Sequence, residues 1–236
     1  MFTRCVTPQR RARSLLTVMH EPPWAGHTTP RTHHIDFEQA CLVASAFVDA
    51  PRESKSAIVR AAYAGLGTQA DRWFARLTGS RTRTPIRVVH TRYPEPYATA
   101  RELSERVRAE RVLEVWPAHF DRDRCHPLLD ISTGGTYDRF RAVHDIVSHA
   151  LLGYGFDRDG EFSAWLREDS MYIGLARWAL ATELHAEHSV RWITGDLAAH
   201  KATLLEPWIL RASRQRARGV STAAAAAIVD ARTCSG

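Results

Sequence analysis

Apolar residues recur at helical spacing over much of the chain. From Asp36 they fall at Phe37, Ala40, Cys41, Ala44, Phe47 and Val48, which predicts a helix stopped by Pro51. Two more helices are predicted over 52–65 and 68–78, with Gly65, Gly67 and Gly79 as breaks. The β-branched run 86–91 and the segment 112–116 read as short strands. Between them, 97–110 reads as a helix with Leu103 and Val107 on its apolar side. Two strands alone are not independently stable, so they are expected to pack on the helices as a small hairpin-like element. Gly134 and Gly135 open a strong helix over 137–152. A loop rich in Gly and Asp covers 153–160, a short helix starts at Glu161, and a long one runs from about 170 to 193. The predicted fold class is mainly α, a helical domain with a small two-stranded β element packed on it.

The ends of the chain read differently. Residues 1–34 carry Pro8, Pro22, Pro23 and Pro30, a cluster of Arg10, Arg11 and Arg13, and no sustained periodicity. They read as a flexible basic arm. Residues 35–206 read as a single helical metal-binding domain, and 207–236 as a basic, Ala-rich tail. The formal charge of +6 belongs to these ends: each carries five Arg against one acidic residue, whereas 35–206 is slightly acidic. Solvated tails are the expectation this gives, with weak, non-specific nucleic-acid contact through them as the alternative. No apolar run approaches the roughly 20 residues of a membrane span. The four cysteines, Cys5, Cys41, Cys125 and Cys234, form no CxxC pair. A cytoplasmic protein without membrane contact is therefore expected.

The candidate chemistry lies in Phe140-Arg-Ala-Val-His144-Asp-Ile-Val-Ser-His149. Five steps along an α-helix separate the two histidines by about 140°, so they would lean toward a common ion from either side of one face. Asp145 and His149 form an i,i+4 pair, which makes Asp145 a ligand or an orienting group. Glu183 sits on a helical stripe of Ala and Leu. There an ionised carboxylate loses several kcal/mol of hydration unless a cation or a donor meets it. A divalent metal shared by His144, His149 and Glu183 would meet it, and two His plus one carboxylate is the ligand set of non-haem Fe(II) oxygenases. Mn or Zn suits the same donors. His185, Glu187 and His188 are expected to support the ligands or lie at the surface, with a second metal as the alternative. Glu161, at a helix start, suits the helix dipole or a nearby ion.

Two resemblances bear on this set. The spacing His144-Asp-Ile-Val-Ser-His149, with a glutamate 34 residues on, resembles the iron ligands of the aromatic amino acid hydroxylases; it implies a facial triad of His144, His149 and Glu183. Ser148 stands where those enzymes carry Gly. A longer stretch, about 86–192, is similar to a largely uncharacterised bacterial and phage-associated domain. The likeness rests on His126-Pro-Leu-Leu, Arg139-Phe-Arg-Ala-Val-His-Asp-Ile-Val-Ser-His149, Gly160-Glu161, Met171-Tyr172 and Ala179-Leu-Ala-Thr-Glu183. It implies the same trio and adds Asp145 and Glu161 as catalytic-site members.

The leading expectation is a metal-dependent enzyme, a mononuclear Fe(II) oxygenase acting with O₂ on a small organic substrate. One alternative is an HD-type phosphohydrolase built on the His144-Asp145 doublet with His119 or His126 upstream. The other is a non-catalytic, phage-derived accessory module that binds nucleic acid.

Overall fold

The computed structural model describes residues 31–82, 84–120 and 125–217. The expected basic arm lies almost wholly outside these residues, as does the chain after 217. The fold is mainly helical with one small two-stranded sheet. Helix α1, Phe37–Asp49, starts where the Asp36 carboxylate accepts from the Gln39 amide at 2.7 Å. It buries Ala40, Val43, Ala44 and Phe47, the i, i+3, i+4, i+7 stripe of an amphipathic helix. Its C-terminal carbonyls are taken by one ammonium group: Lys201 Nζ donates to the oxygens of Phe47, Val48 and Ala50 at 2.6–2.9 Å.

Helix α2 runs unbroken over Ala57–Thr78, through the glycines expected to divide it. Packing, not turning, accounts for Gly67. A Cβ there would lie 2.8 Å from the Thr136 methyl, so the missing side chain lets a neighbouring helix start against α2. Burial of Val59, Tyr63, Leu66, Ala70, Trp73 and Leu77 along one face outweighs the glycine propensity penalty of about 1 kcal/mol.

The strands β1, Arg87–His90, and β2, Val112–Val115, pair in parallel, with Arg87 opposite Val112 and His90 opposite Val115. The expected hairpin-like arrangement gives way because helix α3, Ala100–Glu110, fills the connection, and a helical crossover returns the chain in the same direction. Arg111, at φ 56°, turns the end of α3 into β2.

Helix α4, Thr136–His144, continues directly into a π-wound stretch, Asp145–Leu151. Helix α5 covers Arg158–Asp169. Helix α6, Ala176–Leu180, passes through a second π-wound stretch, Ala181–Ala186, into α7, Glu187–Thr194. Helix α8, Pro207–Ala217, occupies the start of the expected tail and packs into the core through Ile209, Leu210 and Ser213. α2 packs on α4 and α6, α3 on the first π-wound stretch, and α1 on α7 and α8. The π-wound stretches thus lie inside the helical core. No helix among the described residues is long and apolar enough to cross a membrane.

The last helix is tied in by charge. Asp169, buried at the end of α5, accepts from Arg214 of α8 at 2.7 and 3.1 Å and from Arg177 of α6. Removing both arginines leaves a buried carboxylate with no cation. The double variant Arg177→Ala/Arg214→Ala should lose about 3–5 kcal/mol in urea unfolding. Either single variant, which leaves one guanidinium in place, should lose clearly less.

Candidate metal centre

An α-helix does not align residues five apart, but π winding closes i→i+5 hydrogen bonds and places them one above the other. The stretch beginning at Asp145 has this effect on His144 and His149. Their Nε2 atoms face each other at 3.1 Å, with the rings nearly perpendicular. Both outer nitrogens are committed. His149 Nδ1 lies 2.8 Å from the Tyr154 carbonyl oxygen, which can only accept, so Nδ1 carries the proton. His144 Nδ1 lies 2.7 Å from Glu168 Oε1, which also accepts from the Ser148 hydroxyl at 2.6 Å. In the neutral rings both Nε2 lone pairs therefore point at the same spot.

A carboxylate adds to this concentration of electron density. Glu161, in the first turn of α5, places Oε2 3.3 Å from His144 Nε2 and Oε1 3.6 Å from His149 Nε2. Glu161 Oε2 is buried without an aligned hydrogen bond, although His188 Nδ1, also unaligned, stands 3.3 Å away. Two lone pairs and an anion can share a dry pocket only if something positive sits between them: a proton on one ring or a metal ion. The titration directions say the same. Burial opposes a charged His144, yet Glu168 and Glu161 raise its pKa well above the ordinary imidazole value. Burial likewise opposes a charged Glu161, but His188, His144 and His149 hold it well below the usual carboxylate range. The ligand atoms of His144, His149 and Glu161 all lie within 4.8 Å of one another.

The expected trio is not assembled as one group. His144 and His149 come together, but Glu183 belongs to a second set, with Glu187 and His200, again within 4.8 Å. The hydration lost by Glu183 is offset by donors: Tyr63 donates to its Oε1 at 2.7 Å, and His126 Nε2 approaches the same oxygen at 3.2 Å. His126 Nδ1 accepts from the Leu128 and Leu129 amides, so its proton is on Nε2 and it acts as a donor here. Asp145 falls in neither set. Of the doublet on which the phosphohydrolase reading depends, His144 joins the first set and Asp145 joins neither.

Of the residues given supporting roles, His185 is buried and stacked on Trp165 at 4.2 Å, with Nε2 3.0 Å from Ser213 Oγ. Burial pushes its pKa down to about 3, so it is a neutral core imidazole. His188 reaches the first set, and Glu187 joins the second. Sequence reasoning missed Glu168, whose signal is a position seven residues after Glu161 on the same helical face. It also missed His200, which lies outside any helix or strand and carried no signal. No family model matches the chain, and comparison with curated proteins and with solved structures gives no match.

Glu161 owes its position to a backbone contact just before it. A Cβ at Gly160 would lie 2.2 Å from the Gly155 carbonyl oxygen, so the loop after His149 and the first turn of α5 touch without a side chain between them. Gly160→Ala should cost about 1–3 kcal/mol in thermal or urea unfolding by prising the two apart. Gly153→Ala, at a positive φ of 73° but in open space, should cost less.

Proposed function

We propose that the chain is a metal-dependent enzyme of the mononuclear non-haem iron type, in which His144, His149 and Glu161 hold one Fe(II). One observation carries this reading: two imidazole lone pairs and a carboxylate converge within 3.1–3.6 Å while both outer imidazole nitrogens are engaged elsewhere. These separations fit the edges of a coordination sphere with bonds of about 2.0–2.2 Å. Two His and one carboxylate on one side of an ion leave open positions, the arrangement that non-haem iron oxygenases use. Glu161 takes the carboxylate role that spacing alone gave to Glu183. Mn and Zn are the alternative occupants.

Bound iron would supply redox chemistry at its open positions with O₂ and a small organic substrate. The chain's own residues would fix the ligands. Glu168 and the Tyr154 carbonyl orient the two rings and raise their basicity, and Ser148 holds Glu168 in place. Phe156, whose edge packs on His149 at 4.6 Å, also lines a cleft of about 570 Å³ together with Thr99, Arg101, Ser104 and Asp157. A substrate in that cleft would be one ring away from His149.

The test is metal content and an open-position probe on full-length protein produced with added iron. Relative to wild type, His149→Ala and Glu161→Ala should each lose about one equivalent of metal. The electron paramagnetic resonance signal that nitric oxide gives with five- or six-coordinate Fe(II) should vanish with it. Glu168→Gln should weaken metal binding about 10–100-fold while leaving all three ligands present. Equal metal content in wild type and Glu161→Ala would overturn the assignment.

A further inference from the structure

The second set of buried groups has no part in the site above. We infer that Glu183, Glu187 and His200 form a separate site for a divalent transition-metal cation, and that this cation fastens the segment 195–206 to the helical core. All three residues are buried, and their ligand atoms lie within 4.8 Å of one another. His200 Nδ1 stands 3.1 Å from Glu187 Oε1. Both donors that meet Glu183, the Tyr63 hydroxyl and the His126 Nε2–H, approach Oε1. Its Oε2 is buried and has no hydrogen-bond partner. The carboxylate therefore turns one satisfied oxygen toward its donors and keeps the other bare.

Charge gives the same answer. Glu183 meets a tyrosine hydroxyl and a His126 whose Nδ1 is occupied by backbone amides, so neither of these donors supplies it with a formal positive charge. His200 faces Glu187 and the Tyr137 hydroxyl, and a divalent ion held by the three ligands would balance Glu183 as well. Two carboxylate oxygens and one imidazole nitrogen form a donor set suited to Zn, Mn or Fe(II). Two ligands, Glu183 and Glu187, come from one continuous helical run, in which the π-wound stretch is followed by α7. The third comes from a segment without helix or strand. That segment is already held by the Thr182 hydroxyl on the Thr203 carbonyl and by the Glu53 amide on the Ala202 carbonyl. An ion at His200 would add a bond whose strength depends on metal concentration. The site is therefore structural, coupling metal binding to local order.

Zinc is the probe. Full-length protein stripped with a chelator is titrated with Zn²⁺, bound metal per chain is measured, and amide exchange over 195–206 is followed with and without zinc. Wild type should bind about two equivalents, and His149→Ala and Glu187→Gln about one each. Zinc should slow exchange over 195–206 about tenfold in wild type and in His149→Ala, but not in Glu187→Gln. The His149→Ala measurement leaves the second site intact, so the inference stays testable even if Glu187→Gln does not fold. One equivalent, lost in His149→Ala and kept in Glu187→Gln, would overturn the second site and leave the first standing. One equivalent with the opposite pattern would do the reverse. Zinc binding without any change in exchange over 195–206 would overturn the fastening role.

Discussion

Residues five apart cannot meet on an α-helix, and the organisation of this protein's interior depends on breaking that rule locally. The extra residue per turn after His144 swings His149 onto the same line and leaves both rings facing inward. A π-wound stretch has poorer packing around its own axis than an α-helix, so it persists where neighbours hold it. Here α3 lies along it, and the Ser104 hydroxyl donates to the Ala150 carbonyl. The local irregularity and the surrounding regular helices are therefore interdependent.

The second irregular stretch repeats the device with a different result. Between Ala181 and Ala186 the chain is again over-wide, and the carboxylates of Glu183 within it and Glu187 just after it face polar partners within the core. Glu187 and His188 are consecutive, yet one joins Glu183 and His200 while the other approaches Glu161. One short helix thus borders both groups of buried charge. Each group brings its anions and imidazoles together among buried apolar side chains, where unbalanced charge is most costly.

Much of this was legible in the chain. The His144 and His149 spacing, in a helix of Phe140, Val143, Ile146 and Val147, marked two inward imidazoles, and the mainly helical class followed from periodicity. The pairing of Glu183 was not legible. Its helical stripe revealed a buried carboxylate but not that Tyr63, 120 residues earlier, would face it. Glycines in α2 looked like breaks because propensity is local, whereas the need for close approach to Thr136 is tertiary. The basic composition of 207–217 concealed a packed helix, because Arg214 and Arg216 serve Asp169 and Asp36 rather than solvent. Ser148 uses its hydroxyl on the same Glu168 oxygen as His144.

The bonds between the first and last described helices have a consequence for synthesis. Gln39 donates to the Ser213 hydroxyl at 2.8 Å, and Arg216 reaches Asp36 at 2.6 Å. A chain emerging from the ribosome can form α1 early but cannot complete the surface on which it rests until about 180 more residues have followed. Until then the apolar stripe of α1 remains without its final cover. The closing of this fold therefore waits for the synthesis of its last described helix.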